Sequence, residues 1–101
     1  MRLTILVLED TNVTGDVGAL APLAELTALH LDGSQVDGDV KGLAPMVKLT
    51  SLNLANTKVG GRASAMAPLK QLSQCLLQST AVVGCDVFCD LRPKMNLCIC
   101  P

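Results

Sequence analysis

Five cysteines are the residues of this 101-residue chain best suited to chemistry, and all of them lie in its last quarter. They are Cys75, Cys85, Cys89, Cys98 and Cys100. Such a group can be buried as small apolar side chains, form disulfides, or bind zinc through thiolates. The order Cys85-x₃-Cys89-x₈-Cys98-x-Cys100 is irregular for a zinc site and includes no histidine. Spacing alone leaves all three interpretations open.

The single histidine is the other side chain with catalytic potential. His30 lies between Leu29 and Leu31 and should point outward beside Asp32. No serine or cysteine nucleophile stands in a recognised motif, and no glycine-rich loop suited to a phosphate group is present. We therefore predict no enzyme activity, no catalytic residue and no cofactor.

The charge balance narrows the choice of partner. The net charge is −1 at pH 7, and charged residues of mixed sign make up 17% of the chain. Nucleic acids and anionic membranes select basic surfaces, so we expect neither as a partner. No apolar run approaches the roughly 20 residues that a membrane span needs. Residues 3–8 resemble the apolar part of a signal peptide, but Glu9 and Asp10 end it early, which favours a cytoplasmic location.

The elements that must position these side chains repeat every 23 residues. The register contains Leu3, Leu26, Leu49 and Leu72; Leu6, Leu29 and Leu52; Leu8, Leu31, Leu54 and Leu77; and Gly15, Gly38, Gly61 and Gly84. A fixed period of this size predicts a solenoid, in which each turn packs only against its neighbours. Half of the chain is apolar but a single residue is aromatic, so aliphatic side chains must fill the same place in every layer.

The period divides residues 1–94 into turns 3–25, 26–48 and 49–71 and a degenerate turn 72–94. Residues 95–101 then begin a fifth turn or form a cysteine-rich tail. Each of the first three turns opens with Leu-x-x-Leu-x-Leu, whose last two leucines have the two-residue period of a half-buried strand. The chain starts inside a strand without a polar cap. We therefore expect a fragment of a longer solenoid, or an end that another chain covers, for instance by self-association.

This pattern resembles the leucine-rich-repeat family, whose signature is Leu-x-x-Leu-x-Leu-x-x-Asn/Cys-x-Leu. Thr11, Ser34, Thr57 and Thr80 stand where the family has Asn or Cys, and their hydroxyls can bond to backbone where the chain leaves the strand. Gly15-Asp16-Val17 looks like a segment of the plant-type repeats. The resemblance implies an α/β solenoid, an arc with a concave parallel β-sheet and short helical or 3₁₀ segments on its convex side.

A proline closes each of the first three turns, in Leu20-Ala21-Pro22-Leu23, Leu43-Ala44-Pro45-Met46 and Met66-Ala67-Pro68-Leu69. Proline has a fixed φ and no N–H, so it fits the first turn of a helix, where that donor would have no partner. We predict that each proline lies in the first turn of a short convex-side segment.

The same register places four of the cysteines on core positions. Cys75 takes the place of Leu6, Leu29 and Leu52; Cys89 takes that of Leu20, Leu43 and Met66; Cys98 and Cys100 take the two strand positions of a fifth turn. Burial in the core is the favoured interpretation, so we predict no metal site. Cys75 and Cys98 would then lie on neighbouring strands, within reach of a disulfide. A disulfide-stapled cap and a zinc site remain the alternatives.

The family resemblance implies that a partner binds the concave face, through side chains that alternate with the buried leucines. These are Ile5, Val7, Glu9, Asp10, Ala28, His30, Asp32, Ser51, Asn53, Asn56, Gln74, Leu76 and Gln78. The predicted protein-binding residues among them are Glu9, Asp10, His30, Asp32, Asn53 and Asn56. The chain lacks Trp and Tyr, which dominate interface hot spots, so a solvated face without a dedicated partner is the alternative.

We therefore predict a non-enzymatic module or scaffold that binds a protein partner. The alternative is a repeat segment of a larger receptor or signalling enzyme whose catalytic part lies outside this chain. A third hypothesis is a redox- or metal-responsive element built on the cysteines.

Overall fold

Short strands recur along the chain because each turn contributes the same alternating segment. A computed structural model describes residues 4–20, 22–90, 92 and 95–101. The strands are β1 (Ile5–Val7), β2 (Thr14–Asp16), β3 (Ala28–His30), β4 (Gln35–Asp37), β5 (Ser51–Asn53), β6 (Gly60–Arg62), β7 (Gln74–Leu76), β8 (Ala81–Val83) and β9 (Leu97–Ile99). The 3₁₀ segments are η1 (Val17–Leu20), η2 (Val40–Leu43) and η3 (Ala63–Met66), and the α-helix is α1 (Cys85–Asp90). Met1, Leu3, Ala21, Pro93 and Lys94, which the repeat assignment uses, lie outside the described residues.

Five strands form one parallel sheet in the order β1-β3-β5-β7-β9. Its central residues pair at the repeat step: Leu6 with Leu29, Leu29 with Leu52, Leu52 with Cys75, and Cys75 with Cys98. Strand β2 pairs with β4 and β6 pairs with β8, again in parallel. This arrangement of the described residues is solenoid-like, as the period predicts. The concave curvature of the sheet and the convex location of the 3₁₀ segments stay predictions.

Hydroxyl side chains fix the point at which the chain leaves the five-stranded sheet. Thr11, Ser34, Thr57 and Thr80 each donate from Oγ to the backbone oxygen of the leucine three residues earlier, over 2.8, 2.6, 2.6 and 2.7 Å. Ser34 and Thr57 are buried, so the bond satisfies a polar group that has lost its water. The prediction that a hydroxyl serves where the family has Asn or Cys is confirmed.

The apolar core runs through the inside of the stack and is most deeply buried in the second and third turns. Leu29 and Leu52 are 0% exposed, whereas Leu6, at the same position of the first turn, is only half-buried. Leu31 and Leu8 differ in the same way. An inner layer is covered by a turn on each side, while within the described residues the first layer is covered on one side.

The first two 3₁₀ segments begin at an aspartate that caps them. The Oδ1 atom of Asp16 accepts a hydrogen bond from the Gly18 backbone N–H over 2.7 Å, and that of Asp39 accepts one from Lys41 over 2.8 Å. Such caps satisfy donors that have no partner inside the segment. Arg62 stands at the same position before η3 and forms no side-chain cap.

The capping aspartates also explain why the glycine of the next turn cannot carry a side chain. Gly38 and Gly61 have φ values of 97° and 100°, in the left-handed region. A Cβ atom on Gly38 would overlap Oδ1 of Asp16, and one on Gly61 would overlap Oδ1 of Asp39. Aspartate and glycine thus form one packing unit between successive turns.

The predicted position of the prolines is wrong. Pro22, Pro45 and Pro68 lie two residues beyond the last residue of η1, η2 and η3, rather than in their first turn. The segments start earlier because each begins two residues after a glycine of positive φ, with an aspartate between them as cap in the first two. Ala44 and Ala67, which precede Pro45 and Pro68, still have helical φ and ψ angles. Proline has no N–H to donate back, so the hydrogen bonds of the segment end there.

The fourth turn carries α1 at the place that the 3₁₀ segments hold in the earlier turns. Beyond α1, Arg92 reaches back and donates to the backbone oxygens of Leu69, Met66 and Ala67 over 2.6, 3.2 and 2.8 Å. Its guanidinium carbon also lies 4.4 Å from the centre of the Phe88 ring. Met66 and Leu69 also accept backbone bonds from Leu69 and Leu72. Arg92 adds charged donors to these carbonyls and so ties the fourth turn to the third.

We expect Arg92→Ala to lower the free energy of unfolding by about 2 kcal/mol, because carbonyls lose a charged donor and Phe88 loses its cation. Arg92→Lys keeps the charge but not the planar fork, and it should recover only part of the loss. Urea unfolding measures the effect, with Arg62→Ala on an exposed side chain as the control. Equal urea midpoints for Arg92→Ala and Arg62→Ala would show that the contacts of Arg92 do not stabilise the fold.

Within the described ranges no helix is both long and apolar enough to cross a membrane. The α-helix α1 has 6 residues.

Candidate functional site

The candidate site is the outward row, which we define as the two outward-facing side chains of each strand in the five-stranded sheet. Its members are Ile5, Val7, Ala28, His30, Ser51, Asn53, Gln74, Leu76, Leu97 and Ile99. On each strand they flank a central residue that is buried or half-buried. The row is therefore the part of the sheet that a partner can reach.

The outward row is apolar at both ends and more polar in between. Ile5 and Val7 on β1 are 59% and 49% exposed, and Leu97 and Ile99 on β9 are 42% and 39% exposed. The outward positions predicted from the sequence include the first pair and omit the second. The alternation Leu-Cys-Ile-Cys carried the signal, since cysteines turned inward leave leucine and isoleucine facing out.

His30 connects neighbouring strands in the middle of the row. Its Nε2 atom lies 2.8 Å from Oγ of Ser51, and its Nδ1 atom lies 3.7 Å from Oε1 of Glu9. Ser51 in turn donates to Oε1 of Gln74 over 3.3 Å. These contacts form a polar chain that joins the turn after β1 with strands β3, β5 and β7. The role of the imidazole as donor or acceptor depends on its tautomer.

The carboxylate beside His30 is Glu9, not Asp32 as expected from the sequence. The two acids lie at equivalent positions of successive turns, and the imidazole extends back toward the earlier turn. Asp32 is half-buried, and its Oδ1 atom is buried without a hydrogen-bond partner among the described residues. Gln78 lies at the equivalent position two turns further on, and its Oε1 atom is also buried without a hydrogen-bond partner among the described residues.

Three of the other predicted site residues, Asp10, Asn53 and Asn56, shape the backbone of the turn in which they lie. Asp10 and Asn56 have φ values of 51° and 58°, and the equivalent residues Gly33 and Ser79 have 75° and 57°. Aspartate and asparagine tolerate this left-handed conformation better than most residues. The side chain of Asn53 accepts a hydrogen bond from the Ala55 N–H over 3.1 Å. Of the six predicted residues, the structure thus brings Glu9 and His30 into contact.

The cysteines follow the core prediction only in part. Cys75 is fully buried at its leucine position, while Cys89, Cys98 and Cys100 are half-buried against the core. Cys85, which has no leucine counterpart in the sequence register, is also buried. The first turn of α1 therefore adds a core residue that the repeat step does not predict.

Cys75 and Cys98 pair on neighbouring strands as the register predicts, but the disulfide that this brought within reach does not form. The structure pairs Cys85 with Cys100 and Cys89 with Cys98, with Cα–Cα distances of 5.6 and 6.1 Å, and leaves Cys75 as a free thiol. Both distances lie in the ordinary range for a disulfide. The sequence register located Cys98 opposite Cys75, but it could not show that α1 brings two further cysteines over β9. A disulfide-stapled end, one of the alternatives, is what the structure contains.

Burial raises the pKa of the Cys75 thiol to about 12, and the positive charge of Arg92 opposes this only weakly. A thiol with such a pKa stays protonated at neutral pH and is a poor nucleophile and a poor metal ligand. Cys75 is therefore a core residue, which agrees with the favoured interpretation.

The raised pKa predicts that Cys75 destabilises the fold in alkali. Because the folded-state pKa lies above the value of 9.0 expected on unfolding, its stabilising contribution is complete below pH 9.0 and is lost as the pH rises toward about 12. The loss amounts to about 1 kcal/mol per pH unit in that window. Urea midpoints of wild type and Cys75→Ala should therefore converge as the pH rises. A constant difference between the two midpoints across this pH range would contradict the raised pKa of Cys75.

A cleft of about 730 Å³ lies between η3 and α1 and contains none of the six predicted site residues. Leu72, Val87 and Phe88 line it, and Arg62 and Lys70 bring positive charge to it. The cleft forms between the third and fourth turns, where the aspartate–glycine packing unit is absent. Arg62 replaces the aspartate, and a Cβ atom on Gly84 would meet no atom within 4 Å.

Comparisons with known proteins identify the architecture. No protein-family model matches the sequence, and no curated protein matches it either. An internalin from Listeria monocytogenes, solved as a crystal structure, matches with a TM-score of 0.70 and 23% sequence identity. The internalin is a leucine-rich-repeat protein. This chain has a leucine-rich-repeat fold.

The leucine-rich-repeat match covers 94% of this chain and 27% of the internalin chain, so the chain spans about a quarter of that protein's length. At this identity the likeness concerns the fold alone. The narrower plant-type assignment and the turn boundaries at 25, 48, 71 and 94 stay predictions.

Proposed function

We propose that this chain is a non-enzymatic module that binds a protein through the outward row of its sheet. The observation that carries the proposal is the exposure of four large apolar side chains on that one face. They are Ile5, Val7, Leu97 and Ile99. They form one pair at each end of the row. Exposed apolar side chains that lie together mark contact surfaces more often than single ones do. The likeness to an internalin, a leucine-rich-repeat fold, supports a protein as the partner.

The layout of the row restricts the shape of that partner. Strands β1 and β9 are four strand spacings apart, which is about 19 Å at about 4.8 Å per spacing. The partner would thus place two apolar contacts about 19 Å apart, a distance that six extended residues cover. Between them it would meet the polar chain that joins Glu9, His30, Ser51 and Gln74. An extended segment that crosses the strands fits this description.

Glu9 and His30 would supply polar contacts to such a segment, as would the exposed Gln74. The side chains of Glu9 and His30 are 47% and 29% exposed, and Nδ1 of His30 lies 3.7 Å from Oε1 of Glu9, beyond ordinary hydrogen-bond distance. Asp10 and Asn56 would contribute mainly by setting the backbone of their turns. Asp32 and Asn53 lie beside the contact and would modulate it.

The other hypotheses remain proposals of lower rank. A repeat segment of a larger receptor or signalling enzyme is compatible with a chain that spans 27% of the internalin. Self-association through the first turn is compatible with the half-buried state of Leu6 and Leu8.

Matched substitutions test the outward row. Val7→Arg and Glu9→Lys change exposed residues on or beside the row, while Val47→Arg and Asp37→Lys make the same changes elsewhere on the surface. Immobilised wild type and the four variants are compared by quantitative capture of proteins from the source organism, after circular dichroism has shown that each variant is folded. We expect a set of proteins retained by wild type and both controls and depleted at least tenfold by Val7→Arg, with a smaller loss for Glu9→Lys.

Two outcomes would reject this assignment. If Val7→Arg and Glu9→Lys retain the same proteins as their controls, the outward row is a solvated face. If the controls lose the proteins and the row variants keep them, the binding surface lies elsewhere on the fold.

A further inference from the structure

Four cysteine sulphur atoms converge at the end of the stack. Cys85 and Cys89 are four residues apart on α1, so they lie on one side of the helix. Cys98 and Cys100 are two residues apart along β9 and its continuation, so they face the same way. All four Sγ atoms lie within 4.8 Å of one another.

Part of this spacing matches a tetrahedral metal site, while Cys85 and Cys100, and Cys89 and Cys98, are bonded to each other as disulfides. Four thiolates at about 2.3 Å from a zinc ion stand about 3.8 Å from each other. The Sγ atoms of Cys85 and Cys89 are 3.8 Å apart, as are those of Cys89 and Cys100. Helix and strand therefore supply a geometry that the irregular sequence spacing does not suggest.

We propose that the reduced chain binds one zinc ion through Cys85, Cys89, Cys98 and Cys100, as an alternative to the two disulfides. Thiolate sulphur selects zinc over hard cations such as magnesium and calcium, and four protein ligands leave no open position for a substrate. The site would be structural. It would hold α1 against β9 in reducing conditions, where the disulfide pairs cannot do so.

Conversion of the two disulfides into the zinc site takes two steps, a reduction by a dithiol and then metal binding. Reduction of both disulfides takes four electrons and four protons from two molecules of a dithiol reductant, each of which becomes a disulfide. Zinc then displaces four protons from the four thiols and forms a tetrathiolate with a net charge of 2−. Metal and disulfides use the same sulphur atoms and exclude each other.

Cys75 provides an internal control, because it is buried and its thiol lies outside this group of four. Its substitution by alanine should leave metal binding unchanged. Removal of any one of the four proposed ligands should weaken it.

The full chain is reduced with a phosphine, loaded with Zn²⁺, dialysed and analysed for metal, and a parallel sample is titrated with Co²⁺. We expect one zinc per chain, the visible spectrum of tetrahedral thiolate cobalt, and no binding by the oxidised chain. Cys75→Ala should match wild type, while Cys89→Ser and Cys98→Ser should lose affinity at least tenfold. X-ray absorption on zinc-loaded wild type should show four sulphur neighbours, a measurement that does not depend on any variant folding.

The proposal fails if the reduced wild type retains no zinc after dialysis, or if X-ray absorption shows oxygen or nitrogen ligands. It also fails if folded Cys89→Ser binds as tightly as wild type, or if Cys75→Ala abolishes binding.

Discussion

Leu52→Ala is expected to lower the free energy of unfolding by about 3 kcal/mol, enough to unfold a marginally stable domain. Leu52 is 0% exposed at the centre of the middle strand, with Leu29 on one neighbouring strand and Cys75 on the other. Removal of its side chain leaves a cavity between two layers that are fixed by their own sheet bonds, so the core cannot collapse to fill it.

Leu6→Ala provides the matched control, because Leu6 holds the same position in the first turn but is only half-buried. Its loss should be about 1 kcal/mol, in proportion to the smaller apolar area removed from the core. Urea unfolding, with the disulfides intact, measures both variants. Equal losses would show that the layers are not graded in burial as described.

The second large effect is expected from Gly42→Ala, which should cost about 2 kcal/mol through overpacking. Segments η1 and η2 approach so closely that a Cβ atom on Gly42 would lie 2.6 Å from Cα and 3.2 Å from N of Gly18. Both contacts involve backbone, which cannot rotate away as a side chain can. The two turns would have to separate, and the disruption would reach the aspartate caps of both segments.

Gly60→Ala is the comparison for Gly42→Ala. A Cβ atom on Gly60 would meet Ala81 Cβ at 3.4 Å, which is close to ordinary contact. We expect a change within about 0.5 kcal/mol of zero. A thermal or urea midpoint for Gly42→Ala as high as that of Gly60→Ala would show that the first two 3₁₀ segments do not need their close approach.

The sequence predicted what depends on the repeat and missed what depends on departures from it. The strand positions and the backbone-bonded hydroxyls of Thr11 and Ser34 follow from residue type at a fixed step. The prolines were misplaced because one residue type fits both the first turn of a helix and the stretch just after its end. Cys75 and Cys98 pair on neighbouring strands but form no disulfide, because α1 replaces a 3₁₀ segment and brings other cysteines to β9.

The candidate site was predictable in position and less so in detail. Alternation with buried leucines placed His30 facing outward, yet its contact with Glu9 depends on a rotamer that no spacing records. One correction could have been found in the sequence itself. Asp10 and Asn56 share their register position with Gly33, and a glycine there indicates a backbone requirement rather than a binding role.

The uniform register has a consequence for how such a chain can change in length. Backbone bonds from Thr27 to Thr4, from Thr50 to Thr27 and from Ser73 to Thr50 all join residues 23 positions apart. Coupling along the fold is therefore one-dimensional, since each layer meets only the next. Duplicating one internal 23-residue block would add a layer whose two surfaces match those already present. The architecture is modular at that step, and gene duplication could lengthen the outward row without any new packing solution.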